Sequence, residues 1–490
     1  MELKKLLVGI ENFKSKGSLE IDIKRIACNS KKVGPNCLFI AIKGFDSDGH
    51  EYIAEAIEKG ATAVMIDMSA DFKKIKLPPE ITVIITDDTR KALAKVSCNY
   101  YGNPSRYFKL IGITGTKGKT TTSYMVKSIL EKAGYKVGLI GTIANYIGEE
   151  CISVSTRTTP ESIELQGMFY MMAKAKCDYV IMEVSSKSLK LSRVEGCNFD
   201  YGIFTNLYKD HISEKEHPNM EDYFESKLKL FSMCPRGFIN SDDFKCNKII
   251  QNSPKCMINT YAVDNKADLL AKDITITNVS VDFKAKIGQR NERIKVNIPG
   301  RYSVYNALAA ISLAMALGVN IEKIKEGLEN IIIPGRSELI PNKDELAIMI
   351  DYAHTAESLE NILQATKTYT PGRVICVFGC GGDRDKAKRP RMGEVAGRLA
   401  DYTIITTDNP RSEEPEEIIK EIEKGIEKTK GKYEIVVDRR EAIERAIKLM
   451  GKRDLIILAG KGHETYQEIK GEKFDFDERV IVKEILGEKK

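Results

Sequence analysis

The stretch Gly112-Ile-Thr-Gly-Thr-Lys-Gly-Lys-Thr120 constrains this chain more than any other. It follows an apolar run, Leu110 to Ile113, and opens a pattern with Met125, Val126, Ile129 and Leu130 at helical spacing. Strand, glycine-bearing turn and helix start in register make an anion cradle. The N–H groups of the first helical turn have no helical partner and point outward, and the helix dipole adds attraction. In such a cradle Lys119 reaches the β- and γ-phosphates and the Thr120 hydroxyl holds magnesium. Ile113 stands where the common phosphate-loop pattern has its first glycine, so the motif is the shorter Gly-x-x-Gly-Lys-Thr. The plainer alternative is a glycine-rich turn with an exposed lysine. The register of strand, turn and helix favours a nucleoside triphosphate site.

A chain of 490 residues is too long for one core and calls for about two to four domains. Its 76 basic and 70 acidic residues leave a net charge of +6, with no basic stripe interleaved with aromatics. That argues against nucleic acid, while a small cationic excess suits anionic ligands such as nucleotides. The eleven cysteines include no Cys-x-x-Cys pair, which reads as reduced thiols in a cytoplasm rather than a disulfide frame or zinc site. No apolar run approaches the roughly 18 residues of a membrane span, and the N-terminus lacks a signal-peptide core. The expectation is a cytoplasmic, multidomain, monomeric protein with no nucleic-acid partner and no membrane insertion.

The fold expected is α/β with three domains. Residues 1–108 read as a small α/β unit with strands at Cys37–Lys43, Ala63–Asp67 and Ile81–Thr86 and helices at 50–59 and 88–100. Gly102-Asn-Pro-Ser105 is a turn cluster that closes this unit. From 109 to 335 strands and helices alternate around the phosphate loop, with strands at Tyr179–Val184, Tyr201–Asn206 and Phe238–Asn240 and a β-rich patch at 271–298. Such alternation predicts a mostly parallel sheet. Residues 336–490 give a second doubly wound, Rossmann-like unit. Its strands are expected at 346–351, 373–378, 402–406, 433–437 and 454–459, and its helices near 357–368, 389–400, 415–428 and 439–449. Ligands of such a sheet sit beyond the strands' carboxyl ends, where Gly379-Cys-Gly-Gly-Asp-Arg, Thr407-Asp-Asn-Pro-Arg and Gly460-Lys-Gly-His-Glu fall.

Several residues carry chemistry. Glu183 ends an apolar strand and suits a second magnesium anchor, or is a solvated strand-end carboxylate. His211 follows another strand and is a functional or a structural loop histidine; His217 lies near it, but no third ligand completes a zinc-like set. Around a helix over 220–231, Met220, Tyr223, Phe224, Leu228, Leu230 and Phe231 share one arc with Lys227 near its middle, while Lys229 faces away. An ammonium on an apolar stripe costs several kcal/mol unless it snorkels, pairs or changes chemistry. Asp351 suits ribose hydroxyls and Arg336 a phosphate, or the two make a salt bridge at a domain boundary. Asp408-Asn409-Pro410-Arg411 puts carboxylate, carboxamide and guanidinium on one turn, a set that fits an amino acid's ammonium and carboxylate, or is a β-turn and nothing more.

Taken together these residues resemble the Mur ligase family over nearly the whole chain. The resemblance rests on Ile113–Thr121, Thr158-Thr-Pro160, Glu183-Val-Ser-Ser186, Thr205-Asn206 with Asp210-His211, and Tyr223–Phe231. It continues through Tyr305–Ala309, Pro334-Gly-Arg336, Asp351–Thr355, Gly379–Asp385 with Lys388-Arg-Pro390, Asp408–Arg411 and Gly460–Glu464. It implies an N-terminal uridine-nucleotide domain, a central ATPase and a C-terminal domain receiving the amino acid. It further implies an ATP-dependent ligase of peptidoglycan synthesis. In that chemistry the γ-phosphoryl passes to the carboxylate of UDP-MurNAc-L-Ala-D-Glu, and an amine displaces phosphate from the acyl phosphate.

Carried over to this sequence, the resemblance places Gly115, Thr116, Lys117, Gly118, Lys119, Thr120 and Thr121 around ATP, with Asn306, Arg336 and Asp351 as further nucleotide contacts. Thr120 and Glu183 become ligands of one magnesium, and His211 with a carboxylated Lys227 ligands of a second. Ser30, Thr158, Thr159, Ser185 and Arg193 match positions holding the UDP-muramoyl substrate. Arg384, Asp408, Asn409, Pro410, Arg411, Gly460 and Glu464 match a pocket for meso-diaminopimelate, with L-lysine or another amino acid the alternative within the family. A phosphate-loop ATPase or binding module that forms no bond is the alternative outside it. The chain departs from the family at Lys117, usually Asn, at Lys187, usually His, at Asn29-Ser30-Lys31, usually Asp-Ser-Arg, and at Leu191, often polar.

Overall fold

The computed structural model describes residues 1–44, 47–70, 77–209, 212–213, 216–287 and 290–488. The chain divides into two compact units, Met1–Asp268 with Ala309–Val319, and Leu269–Leu308 with Asn320–Lys490.

The first unit holds two sheets. The N-terminal one runs Lys14–Lys16, Thr82–Thr86, Ala61–Asp67, Cys37–Ile40, Arg25–Ala27, all parallel except its first strand. Leu38, Ile40, Met65 and Ile84 fill one face with Leu93 and Val96 of the helix Thr89–Tyr100. Phe39, Val64, Ile66 and Val83 fill the other. Burial on both sides accounts for the continuous apolar strands.

The second sheet of this unit centres on Lys109–Thr114. Tyr179–Glu183 pairs in parallel on one side and Tyr201–Phe204 on the other. Val137–Ile140 extends it beyond Tyr179–Glu183, and Arg236–Asn240 then Met257–Ala262 extend it beyond Tyr201–Phe204. Leu110 to Thr114 are all buried. The helix Lys119–Lys132 lays Met125, Val126, Ile129 and Leu130 into the core, at the expected spacing. Lys109–Thr114, Tyr179–Glu183, Tyr201–Phe204 and Arg236–Asn240 fall on the expected apolar runs, whereas Val137–Ile140 and Met257–Ala262, the latter broken by Asn259 and Thr260, were not expected. Nor was the hairpin Ala144–Ile147 and Glu150–Val154, whose mixed exposure leaves no apolar run.

In the second unit Leu269–Ile276, Val281–Ile287 and Arg290–Val296 form an antiparallel meander, within the expected β-rich patch. The remaining strands build a six-stranded sheet ordered Glu338–Leu339, Ala347–Asp351, Leu455–Ala459, Val374–Phe378, Tyr402–Ile405, Tyr433–Ile435. All but the first pair run parallel. The helices Ala356–Lys367, Lys388–Leu399 and Pro415–Ile426 cover one face, and Arg439–Leu449 with Glu478–Ile485 covers the other. The order places the carboxyl ends of Ala347–Asp351, Leu455–Ala459, Val374–Phe378 and Tyr402–Ile405 side by side, where the polar clusters emerge. Among the described residues no helix is long and apolar enough to cross a membrane.

Candidate active site

The phosphate loop of the first unit is held by the strand beside it. Thr116 N donates to Asn206 O at 2.9 Å and Lys117 N to Asn206 Oδ1 at 2.9 Å. Thr205 Oγ1 donates to Lys117 O at 2.7 Å. Gly115 takes a left-handed φ of +146°. Lys119 Nζ donates to Gly115 O at 3.0 Å and Thr116 O at 2.9 Å, folded back over the loop it closes. Lys117 is exposed and Thr121 half-buried on the first helical turn.

Thr120 Oγ1 donates to Glu183 Oε2 at 3.0 Å. Glu183 has no exposed surface, and its carboxylate also accepts from Thr142 N and Thr142 Oγ1, both at 2.9 Å. Parallel pairing of Lys109–Thr114 with Tyr179–Glu183 brings this carboxylate to the loop. A buried carboxylate beside a hydroxyl at the mouth of a phosphate cradle is a hard-oxygen pair of the kind magnesium takes while keeping phosphate and water ligands. Among the described residues no group of three or more His, Cys, Asp or Glu side chains gathers at metal-holding distance. His211 lies outside the described residues, so its expected role has no geometry here.

Lys227 sits on the helix Met220–Ser232 with Tyr223, Phe224, Leu230 and Phe231 buried and Lys229 exposed, the arc expected from periodicity. The Lys227 side chain is itself buried. Its Nζ donates to Gly115 O at 2.8 Å and lies 4.4 Å from the Tyr223 ring centre. A charged hydrogen bond contributes about 1.5–3 kcal/mol and a desolvated cation–π contact about 2 kcal/mol. Together they offset the several kcal/mol that burial costs. Lys119 and Lys227 thus share one carbonyl of the phosphate loop.

A cavity of about 810 Å³ opens beside these lysines. Of the residues expected to hold a substrate, Thr158, Thr159, Ser185 and Arg193 line it, as do Lys119 and Lys227. Thr159 Oγ1 donates to Glu183 O at 2.9 Å and accepts from Ser185 N at 3.0 Å. Arg193 Nη1 donates to Thr159 O at 3.2 Å, and its Nε lies 2.5 Å from Glu161. Ser30 is buried but does not line the cavity; its neighbours Cys28, Asn29 and Lys32 do. Arg90, Arg157 and Lys187 add cations to the wall. Neither arginine is among the expected site residues: Arg157 directly precedes the Thr158-Thr-Pro160 segment, and Arg90 lies in the first turn of the helix Thr89–Tyr100.

The second unit holds the other expected residues. Asn306 is buried on the helix Arg301–Ala316. Asp351 accepts from Ser337 N at 2.8 Å, and burial pushes its carboxyl above the ordinary carboxylate range despite the nearby Arg336. The Arg336 guanidinium lies 5.0 Å from the Tyr352 ring centre. The His463 ring packs tilted against the same tyrosine, centres 5.1 Å apart; burial, with Arg336 and Arg479 nearby, lowers its pKa to about 4.

Asp408, Asn409 and Pro410 are buried on the turn after Tyr402–Ile405. Asn409 Nδ2 donates to Glu464 Oε2 at 2.7 Å, and Lys461 Nζ donates to Asn409 Oδ1 at 3.1 Å. Burial, then the Asp408 charge, raises the Glu464 carboxyl, and burial lowers the Lys461 ammonium. Gly460 runs so close to Asp408 that a β-carbon there would meet Asp408 Oδ2 at 2.5 Å. Arg411 Nη1 donates to Gly382 O at 2.6 Å and its Nε to Glu468 Oε2 at 3.2 Å. Arg384 is exposed, on the same glycine loop as Gly381 and Gly382. The structure therefore gathers Asp408, Asn409, Arg411, Gly460 and Glu464. It adds Lys461, Gln467 and Glu468, the last two on the hairpin Tyr466–Ile469 and Glu472–Asp475. Gln467 Nε2 donates to Asp408 O at 2.7 Å. The two-residue Lys470-Gly471 turn, left-handed at both positions, was the available signal for that hairpin.

A phosphate loop with its carboxylate partner, joined in one chain to a Rossmann-like unit whose strand ends carry carboxylate, carboxamide and guanidinium side chains, is the build of an ATP-dependent ligase. The Mur ligase middle domain matches residues 113–314, the Mur ligase glutamate ligase domain 335–462, and the Mur ligase family catalytic domain 22–101. The chain belongs to the Mur ligase family. It is 48% identical, over its full length and 99% of the relative, to a UDP-N-acetylmuramoyl-L-alanyl-D-glutamate–2,6-diaminopimelate ligase of Caldanaerobacter subterraneus subsp. tengcongensis. A Clostridium acetobutylicum protein of the same name is 47% identical over the full length of both. A solved structure of such a ligase aligns over 99% of each chain with a TM-score of 0.71 and 27% identity.

Proposed function

We propose that this protein joins meso-diaminopimelate to UDP-MurNAc-L-Ala-D-Glu with hydrolysis of ATP to ADP and phosphate, in the cytoplasmic stage of peptidoglycan synthesis. The observation that carries the reading is the Asp408–Arg411 turn, with Asn409 held by Glu464 and Lys461, in a chain so similar throughout to relatives named for that reaction. Residues 1–108 are assigned the uridine-nucleotide end of the substrate, 109–335 ATP, and 336–490 the amino acid.

A carboxylate is a poor acyl donor, and phosphorylation supplies the leaving group. Backbone N–H groups of residues 115–120 and the Lys119 ammonium orient the triphosphate and stabilise charge on the transferring phosphoryl. Thr120 and Glu183 are assigned one magnesium, and His211 with a carboxylated Lys227 a second. Magnesium, when bound, neutralises phosphate charge and polarises the phosphoryl group. Thr158, Thr159, Ser185 and Arg193 hold the acyl substrate in the cavity beside Lys119. Arg411 is assigned the distal carboxylate of diaminopimelate, which lysine lacks, and Asp408 and Glu464 its ammonium.

The test is phosphate release from ATP, with and without the UDP-muramoyl dipeptide, and with diaminopimelate or L-lysine as acceptor. Turnover is expected only with dipeptide and amine together, with much the higher kcat/KM for diaminopimelate. A preference for lysine defeats the specificity assignment. Hydrolysis indifferent to dipeptide and amine defeats the ligase reading.

A further inference from the structure

Ser186, His217 and Asp222 form a line of hydrogen bonds that starts in the wall of the same cavity, where Ser186 and His217 line it. His217 Nδ1 lies 2.5 Å from Asp222 Oδ2 and its Nε2 2.9 Å from Ser186 Oγ. The imidazole side chain is 1% exposed and the Asp222 side chain 32%, so the line runs from the cavity wall to solvent. A carboxylate at Nδ1 fixes the tautomer: Nδ1–H donates to Asp222, and Nε2 accepts the Ser186 hydroxyl proton. The charged groups facing this line are Lys190, 2.8 Å from Asp222, and Lys227, with the Lys187–Glu216 pair at 3.9 Å beside it. The Tyr223 ring packs 5.0 Å from the imidazole. Burial lowers the imidazole below its ordinary value against the pull of Asp222.

Capping does not account for this arrangement. The short helix Ser186–Lys190 is already capped by Ser185 Oγ, which accepts from Ser188 N at 3.1 Å. The Ser186 hydroxyl is left to serve His217 and the cavity.

Amide formation has a proton problem. The acceptor arrives as an ammonium and has no lone pair until a proton leaves. We infer that Ser186, His217 and Asp222 are the proton path of the amide-forming step, an inference that rests on the ligase reading. The N–C bond forms as the C–O bond to phosphate breaks, and phosphate departs with the electron pair. Nitrogen sheds two protons. One ends on the departing phosphate. The other passes to Ser186 Oγ while Ser186 gives its own to His217 Nε2, and the His217–Asp222 pair returns it to solvent. Ser186 touches the reacting nitrogen; His217 and Asp222 are positioning residues acting through it.

The experiment compares wild type with Ser186→Ala and His217→Gln on two readouts. Borohydride trapping measures acyl phosphate, and product formation is followed with the amino acid and with hydroxylamine, which is neutral at assay pH and needs no prior deprotonation. Expected is a loss on the order of 10²-fold with the amino acid, undiminished trapped acyl phosphate, and a hydroxylamine rate close to wild type. Equal loss with both nucleophiles, loss of trapped acyl phosphate, or wild-type ligation by Ser186→Ala overturns the proton path. Ser186→Ala removes one buried hydroxyl and decides the matter should His217→Gln fold poorly. A wild-type protein that forms no amide removes the ligase reading and the proton path with it, whereas the variant outcomes bear on the path alone.

Discussion

Arg411 holds a left-handed backbone, φ +53°. Its N donates to Glu468 O at 3.0 Å and its carbonyl accepts from Lys470 N at 2.6 Å. The hairpin therefore grips the residue by its main chain, while the guanidinium reaches Gly382 O and Glu468. A side chain held at both ends has little entropy left to lose when it meets a second carboxylate. Removing one charge-assisted pair costs about 2–3 kcal/mol, roughly 30- to 150-fold in affinity. Arg411→Ala is expected to raise KM for diaminopimelate by about that factor, with KM for ATP nearly unchanged. Equal rises for both substrates in steady-state kinetics would remove Arg411 from the amino-acid site. Single residues were legible where chemistry and local pattern coincide, as with Lys227 on its apolar arc and Lys119-Thr120 after the loop. They were illegible where the partner is remote. Nothing near Glu468 announces Arg411, and nothing near Ser186 announces His217; only the fold brings each pair together.

At the scale of elements, the phosphate loop works because its backbone passes where no side chain fits. At Gly115 a β-carbon would lie 1.9 Å from Thr205 Oγ1, and the residue is left-handed as well. Gly134, just past the end of the following helix, is also left-handed, φ +90°, but meets nothing within 4 Å. The two separate backbone strain from steric clash. Gly134→Ala is expected to cost about 1 kcal/mol of stability and to leave nucleotide affinity alone. Gly115→Ala must push Thr205 away from Lys117 O and open the cradle, so nucleotide titration by calorimetry should show loss of binding. Intact ADP affinity in Gly115→Ala would contradict the cradle. The elements that reading the sequence finds are the strands buried on both faces, such as Leu455–Ala459 and Val374–Phe378. It misses Lys14–Lys16, exposed throughout, and the hairpin at 466–475, exposed or half-buried. Strands held mainly by main-chain hydrogen bonds leave no apolar record.

For the whole molecule, alternation of strand and helix foretold parallel sheets on either side of residue 335, because a crossover helix must follow each parallel strand. The β-rich patch gave no such rule, and its antiparallel meander comes from the structure alone. The cysteines test the packing of the chain as a body. Nine of the eleven thiols are buried, Cys151 is exposed on the hairpin after Val137–Ile140, and Cys28 is half-buried in the cavity wall. Reactivity needs both access and thiolate. Burial pushes the Cys28 thiol up to about 11, so little thiolate exists there at neutral pH. Native alkylation followed by intact mass and peptide mapping should show one fast adduct, at Cys151, then a slow one at Cys28. The UDP-muramoyl dipeptide should suppress the second without touching the first, because only Cys28 borders the cavity assigned to that substrate. Denaturant should release the other nine as their own units unfold, Cys376 and Cys380 with the second and the remaining seven with the first. Fast labelling of any buried thiol in the native protein would show that the surrounding core opens. Protection of Cys28 by diaminopimelate alone, rather than by the dipeptide, would move the cavity's ligand to the other substrate.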